Sequence, residues 1–125
     1  VMNGDSLLLD SNIVLYLLNG EETLIPLLEG KSLYLSFITQ LELLSFPEIS
    51  KEEINKIERF IQECIIIEIS STIKEYTINF RKKFRLSLPD SIIAATSLYI
   101  NVPLVTADSD FKKLTNEVDL VFYQK

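Results

Sequence analysis

The sequence has no histidine, one cysteine and three glycines among its 125 residues. The lack of histidine excludes Ser-His-Asp and Cys-His catalysis, histidine-ligated zinc and histidine general-base chemistry. The single cysteine, Cys64, allows no intrachain disulfide. It falls on the apolar face of a predicted helix, which favours a small core residue over a reactive thiol. So few glycines leave no glycine-rich phosphate loop, which excludes P-loop and dinucleotide-binding motifs.

Long apolar runs and linkers are missing as well. No apolar run approaches the roughly 20 residues that a membrane-spanning helix needs. No signal-peptide pattern is visible, so we expect a cytoplasmic protein that does not enter a membrane. With 47% apolar and 24% charged residues the composition is that of a soluble globular chain. We therefore predict one domain over residues 1–125, long enough to bury a core.

The net charge of −6 argues against a protein that binds nucleic acid through bulk positive charge. It does not exclude a nuclease, because a cluster of acids that awaits a cation contributes strongly to such a number. A bound metal ion also reverses the local sign of the potential. The charge therefore directs attention to where the acids lie.

Strand and helix patterns alternate along the chain. Apolar or β-branched runs predict strands at residues 6–9, 33–36, 65–69, 104–105 and 120–122. Helical spacing predicts helices at residues 12–18, 21–29, 39–45, 71–85, 89–99 and 111–114, with a longer one beginning at Ser50. Such alternation is typical of a mostly parallel sheet covered by helices on both faces. The predicted fold class is a three-layer α/β/α sandwich.

Four acids lie where one predicted element gives way to the next: Asp10, Glu42, Asp90 and Asp108. Asp10 and Asp108 come just after strands. In open parallel sheets, ligands bind outside the carboxyl ends of the strands, at a switch in strand order. If the fold brings the four acids together, they form a carboxylate pocket suited to a hard divalent metal.

Each acid also has a purely structural explanation as a helix-capping residue. The candidate caps are Asp10, Asp108 with Asp110 in its first turn, and the capping boxes Thr39-x-x-Glu42 and Ser87-x-x-Asp90. Taken singly, capping is the better explanation of each. Their joint placement in apolar surroundings favours a metal site, because a carboxylate near a core is costly unless it is paired or bound to metal.

Small polar residues accompany the acids, and they can orient the metal ligands or metal-bound waters. They include Ser11, Asn12, Thr39, Ser91 and Thr106. We assign this supporting role to Asn12, Thr39 and Thr106, together with the nearby carboxylate of Asp110.

Basic residues crowd the end of the helix that precedes Asp90, and they are Arg81, Lys82, Lys83 and Arg85. One interpretation is favourable charge at a helix C-terminus on solvated surface. The other is a rim that contacts the phosphates of a nucleic acid, which Lys112 and Lys113 extend. Phe84, between these cations, fits a core position better than a base-stacking one.

Taken in order, four segments resemble those of a PIN domain of the VapC toxin type. They are LDSN at 9–12, TQLE at 39–42, LPDSIIAA at 88–95 and LVTADSDF at 104–111. The resemblance implies an α/β/α metal-dependent endoribonuclease, whose acids map onto Asp10, Glu42, Asp90 and Asp108 and hold Mg²⁺ or Mn²⁺. Thr106 matches a hydroxyl position that helps to arrange the last acid. Asp10 and Asp90 are the expected direct ligands, and Glu42 either ligates or orients the attacking water.

The resemblance also implies partners. It suggests an RNA substrate cut to 5′-phosphate and 3′-hydroxyl ends, an antitoxin protein and a homodimer. Apolar residues on the N-terminal helices exceed the need of one core face, and they are Leu15, Tyr16, Leu17, Leu18, Leu24, Ile25, Leu27 and Leu28. We expect some of them at a dimer or antitoxin contact, with burial inside the monomer as the alternative for residues 16–18.

Three other functions compete with a nuclease. A phosphotransferase of the haloacid-dehalogenase type needs a second aspartate at the position of Asn12. A receiver-type regulatory domain needs a lysine partner and a central phospho-acceptor aspartate, for which we find no convincing residues. A PIN-like module that binds RNA or protein without cutting is the strongest rival. Loss of one or more acids is its usual sign, and all four are present here.

Overall fold

The computed structural model describes residues 5–124, so the predicted domain bounds of 1–125 reach beyond the described residues at both ends. Within residues 5–124, five strands form one sheet in the order β3-β2-β1-β4-β5, and every pairing is parallel. The strands are β1 Ser6–Leu9, β2 Ser32–Ser36, β3 Ile65–Ile67, β4 Leu104–Thr106 and β5 Leu120–Phe122.

Helices connect successive strands, as the crossover connections between parallel strands require. The α-helices are α1 Ser11–Leu18, α2 Ile25–Leu28, α3 Phe37–Leu44, α4 Lys51–Gln62, α5 Ser71–Phe84 and α6 Leu88–Ile100. Two 3₁₀ helices, Glu22–Leu24 and Ser109–Leu114, complete the set. None of the helices in the described part of the chain has the length and apolar character to cross a bilayer.

Side chains alternate across the sheet, and each face has its own core. Leu7 and Leu9 of β1 point into a cluster built with α1, α3 and α4. Leu8, between them, points into a second cluster with α5 and α6. This period of two is what a strand buried on both faces requires. The three-layer α/β/α class predicted from the sequence is confirmed.

The N-terminal helices supply more of the monomer core than expected. Leu24 and Leu28 are buried in the first cluster. Residues 15–18 and Leu27 are partly buried and pack against the same cluster. Ile25 is the member of the predicted surplus that stays 49% exposed. The alternative of burial within the monomer therefore describes most of these side chains.

Two predicted boundaries differ because the sheet decides them. The helix predicted at 39–45 begins at Phe37, with the Ser36 hydroxyl accepting a hydrogen bond from the Ile38 amide. The strand predicted at 65–69 ends at Ile67, which pairs with Ser36, the last residue of β2. Beyond Ser36 the neighbouring chain has turned into α3, so Glu68 has no strand to pair with.

The strand order changes direction beside β1. The chain moves from β1 outward through β2 to β3, then returns to place β4 against the other edge of β1. The carboxyl ends of β1 and β4 therefore form the crevice at which open parallel sheets bind ligands. Asp10 follows β1 directly, and Asp108 follows β4 by two residues.

Candidate metal centre

Asp10 is a carboxylate held at the edge of the core, with 4% of its surface exposed. Its Oδ1 accepts a hydrogen bond from the Ile13 amide at 3.0 Å, so it caps α1 as predicted. Its Oδ2 accepts a hydrogen bond from the Thr106 hydroxyl. Burial raises the pKa of Asp10, and the negative charges of Asp108 and Glu42 raise it further. The two hydrogen bonds lower the pKa, but the net shift is upward.

Thr106, fully buried at the end of β4, joins two of the acids. Besides donating to Asp10, its hydroxyl oxygen accepts a hydrogen bond from the Asp108 amide at 3.0 Å. A single hydroxyl thus fixes the carboxylate after β1 and the backbone that carries the acid after β4. This contact crosses the switch in strand order, because it joins a residue at the end of β4 to the carboxylate that follows β1.

Asp90 lies in the first turn of α6, where the Ser87 hydroxyl accepts a hydrogen bond from its amide at 3.2 Å. Burial raises the pKa of Asp90 to about 6, and the charges of Asp108, Asp10 and Asp110 add to the rise. Because each of these acids destabilises the ionised form of its neighbour, the cluster favours a bound cation.

Three carboxylates meet most closely. Oxygen atoms of Asp90, Asp108 and Asp110 all lie within 4.8 Å of one another. Opposite oxygens around one octahedral Mg²⁺ are about 4.2 Å apart, so three carboxylates at this spacing can share one ion with little movement. Asp108 also accepts a hydrogen bond from the Asp110 amide at 2.9 Å. An all-oxygen anionic donor set fits Mg²⁺ or Mn²⁺.

Glu42 lies on α3, and its charge acts on Asp10. Its Oε1 accepts a hydrogen bond from the Ser11 hydroxyl at 2.7 Å, across 31 positions of sequence. The predicted capping box Thr39-x-x-Glu42 is wrong, because Ser36 caps α3 and Thr39 lies inside the helix. Glu42 is therefore available to the acidic cluster rather than occupied at a helix end.

The small polar residues divide into three groups. Asn12 is exposed on α1, and among the described residues it has no hydrogen bond to any of the acids. Its neighbour Ser11, which contacts Glu42, has the supporting position instead. The hydroxyls of Thr39 and Ser91 are buried without a hydrogen-bond partner in the part of the chain that the structure describes. Each belongs to a helix that carries one of the acids.

The predicted basic rim is exposed at the end of α5, in the last turn and the residue after it. Lys83 is partly engaged, because its Nζ lies 3.7 Å from Glu117 and 5.3 Å from the centre of the Phe84 ring. Phe84 is half-buried and packs against the second core cluster, which agrees with the core position predicted for it. Arg81, Lys82 and Arg85 point their charges into solvent.

We expect Thr106→Val to weaken both the fold and cation binding. Valine keeps the shape but leaves an Asp10 oxygen and the Asp108 amide without their partner, which costs about 1–3 kcal/mol of unfolding free energy. Loss of such a supporting contact typically lowers metal affinity about 10–100-fold. Urea unfolding and Mn²⁺ titration measure the two effects.

Thr96→Val is the matched control for this prediction. Thr96 is equally buried, and its hydroxyl donates to the Ile92 carbonyl within α6. That carbonyl belongs to the helix ladder, so its loss leaves no acid unsupported. A Thr106→Val protein with the Mn²⁺ affinity of the Thr96→Val protein would contradict the supporting role of Thr106.

Comparison with known proteins places this arrangement in a family. The family model described as PIN domain matches residues 7–117. A search among curated proteins gives no match.

Solved structures share the fold over nearly the full length of both chains. A toxin-antitoxin complex from Klebsiella pneumoniae has a chain with a TM-score of 0.81 and 27% identity, and 94% of this chain and 98% of that one are covered. A chain of VapBC2 from Rickettsia felis, bound to a DNA fragment from its promoter, has a TM-score of 0.80 and 22% identity, and 95% of this chain and 99% of that one are covered. A chain of VapBC-1 from nontypeable Haemophilus influenzae has a TM-score of 0.78 and 23% identity, and 96% of this chain and 99% of that one are covered.

The sequence match and the shared architecture agree with the resemblance seen in the motifs. Residues 7–117 include the strand that precedes Asp10, the helix that carries Asp90 and the turn that carries Asp108. The chain belongs to the PIN domain family.

Proposed function

We propose that this protein is a metal-dependent endoribonuclease, the toxin of a toxin–antitoxin pair. The observation that supports the proposal most directly is the close group of Asp90, Asp108 and Asp110 at the switch in strand order, together with Asp10 directly after β1, whose charge acts on Asp90. Such a cluster is costly in a folded protein unless a cation offsets its charge. The presence of all four acids supports cleavage over the alternative of a PIN-like module that binds without cutting, because loss of one or more acids is the usual sign of such a module.

Asp90, Asp108 and Asp110 would hold the cation, and the Asp10 carboxylate, whose charge acts on both Asp90 and Asp108, would complete the set. When bound, Mg²⁺ or Mn²⁺ supplies Lewis-acid chemistry, activating water at neutral pH and offsetting negative charge on a phosphodiester. The sequence left open whether Asp108 or Asp110 is the fourth acid. The 4.8 Å spacing supports a role for both.

The chain's own residues position the reacting groups. Asp10 is fixed by two hydrogen bonds and cannot swing away from the crevice. Glu42 is anchored to Ser11 through one oxygen, which leaves its other oxygen to orient a water molecule beside the scissile phosphate. A carboxylate positioned in this way contributes by orientation and by accepting a proton.

The partners we propose are an RNA substrate, an antitoxin protein and a second copy of this chain. The similar structures include toxin–antitoxin complexes, among them VapBC assemblies bound to DNA. An antitoxin partner is therefore supported by likeness. Large apolar side chains exposed near α3, including Leu41 at 53% and Phe46 at 38%, offer surface for a protein contact.

RNA cleavage by the purified protein tests the proposal. We expect cleavage of single-stranded RNA in Mn²⁺, none in excess EDTA, and full recovery when Mn²⁺ is added back. The products should carry 5′-phosphate and 3′-hydroxyl ends, which end-labelling distinguishes from cyclic phosphates. Undiminished cleavage in EDTA would exclude the metal mechanism, and binding of RNA without cleavage under any metal would favour the non-catalytic alternative.

A further inference from the structure

Arg85 ends α5 in a left-handed backbone conformation, with φ 56° and ψ 36°. Its amide donates to the Arg81 carbonyl at 3.1 Å and closes the last helical turn. Glycine is the usual residue at such a position, because a Cβ atom there crowds the following carbonyl oxygen. The backbone of the chain therefore gains nothing from arginine at this site.

The end of the next helix, α6, follows the usual residue preference for this conformation. Asn101 ends α6 with nearly the same angles, φ 55° and ψ 50°. Asparagine is the residue besides glycine that adopts this conformation readily. A helix end that needs only this geometry thus has a suitable residue in the same protein. Arg85 and Glu48, with φ 59°, are the described residues other than glycine and asparagine that have a positive φ, and at Arg85 the side chain offers a reason for the choice.

No structural contact accounts for that side chain. Arg85 is exposed, and its guanidinium has no hydrogen bond or ion pair with any of residues 5–124. The Arg85 side chain is exposed, whereas Phe84 beside it is half-buried against the second core cluster. The guanidinium is therefore available to a ligand in solution.

The position of Arg85 relates it to the acidic crevice. It lies five residues before Asp90, a span of at most about 17 Å when fully extended and less here, because Ser87 to Asp90 already form a helical turn. It also completes a run in which four of the five residues 81–85 are basic, in a chain with twelve such residues and a net charge of −6. A cation concentration of this kind suits a polyanion.

We infer that Arg85 is a phosphate-contacting residue that positions the RNA strand beside the acidic cluster, and that it occupies an unfavourable backbone conformation for this purpose. The inference rests on the proposed RNA substrate. Arginine suits the task because its planar guanidinium binds a phosphate through two hydrogen bonds and cannot lose its charge. The inference predicts that stability and RNA binding change in opposite directions at this one residue.

Arg85→Gly and Arg85→Asn test the inference. We expect both to raise the melting temperature, by about 2–5 °C for Arg85→Gly. Both should weaken RNA binding about five- to tenfold and lower the salt slope of log K by roughly 0.7, the value for one phosphate contact on a single strand. The probe is a fluorescein-labelled single-stranded RNA of mixed sequence, followed by anisotropy in Mg²⁺ buffer in the non-cleaving Asp10→Asn background.

Three controls separate this role from general effects. Arg85→Lys keeps the charge and should retain part of the affinity. Asn101→Gly relieves the same backbone geometry roughly 16 Å along α6 from Asp90 and should leave RNA binding unchanged. Lys74→Ala removes an exposed cation from the first turns of α5, eleven residues from Arg85, and tests the effect of net charge alone.

Arg85→Gly with unchanged RNA affinity and salt slope would overturn the inference, as would a loss of affinity no larger than that of Lys74→Ala. A fall in melting temperature would overturn the claim of an unfavourable backbone. If the wild-type protein fails to cut RNA while the Asp10→Asn protein binds it through Arg85, the inference stands and the proposed enzymatic function fails. If the wild-type protein cuts RNA and Arg85→Gly cuts it with an unchanged KM, the proposed enzymatic function stands and the inference about Arg85 fails.

Discussion

Asp10→Asn is expected to lower RNA cleavage by about 10³-fold or more while the protein stays folded, because it removes a charged group from the centre of the proposed site. The amide oxygen of asparagine can still accept the hydrogen bond that caps α1, so the helix should form normally. Circular dichroism and urea unfolding check the fold, and initial rates on labelled RNA in Mn²⁺ measure the loss.

Asp119→Asn provides the matched change of charge. Asp119 is exposed at the start of β5, at the opposite end of the strands from the acidic crevice. It should keep wild-type rates. An Asp10→Asn protein that cuts as fast as the Asp119→Asn protein would remove Asp10 from the proposed mechanism.

The effect of Asp90→Asn on stability should change sign when a metal ion is added. In EDTA at pH 7.5 the variant is expected to be more stable than the wild type by about 1 kcal/mol, a value reduced for solvent screening at a partly exposed carboxyl. In Mn²⁺ at 100 times the dissociation constant, the wild type should gain about 2.7 kcal/mol and the variant much less. Thermal melting in the two buffers measures the crossover.

The pH dependence of this difference follows from the raised pKa. The pKa of Asp90 is about 6 in the folded protein against 3.8 for an ordinary aspartate, so the folded state binds the proton more tightly. Ionised Asp90 therefore lowers stability fully above pH 6, and this cost shrinks as the pH falls and is absent below about pH 4. The advantage of Asp90→Asn in EDTA should vanish over the same range.

Asp119→Asn again serves as the control, since it removes one negative charge away from the cluster. It should respond to Mn²⁺ as the wild type does. A gain from Mn²⁺ in the Asp90→Asn protein as large as in the wild type would show that the cation acts elsewhere on the surface.

Local sequence predicted the strands well because buried β-runs are short and unambiguous. The strands at 6–9 and 120–122 have the same bounds in the structure. Asp10 and Asp108 were predicted as helix caps and are so observed. Each of these two acids both caps a helix and belongs to the acidic cluster. The two roles coincide because a helix cap at the carboxyl end of a strand lies at the edge of the sheet where ligands bind.

The start of α3 was mispredicted because two adequate caps lie three residues apart. Ser36 and Thr39 both suit an N-cap, and local sequence does not choose between them. The choice is made by β2, whose pairing with β3 ends at Ser36 and releases the chain into the helix there. Such a boundary depends on a strand that comes almost thirty residues later.

Side-chain distances within the site could not be predicted from the sequence, because they too depend on residues that are far apart along the chain. The Ser11–Glu42 bond joins residues 31 positions apart, and the Thr106–Asp10 bond joins residues 96 positions apart. Residue spacing could group the acids at one edge of the sheet. It could not show that Asp110 joins Asp90 and Asp108 within 4.8 Å, or that Ser11 rather than Asn12 bonds to Glu42. The roles assigned to these residues in catalysis remain predictions.

Mn²⁺ binding to the purified protein, measured by titration calorimetry, tests the central claim most directly. The claim is that Asp10 after β1, Asp90 of α6 and the acids in the turn after β4 form one cation site. It predicts saturable binding to the wild type and to Asp119→Asn, and a large loss of affinity in both Asp10→Asn and Asp90→Asn. Equal Mn²⁺ affinity in all four proteins, or no binding to the wild type, would contradict it.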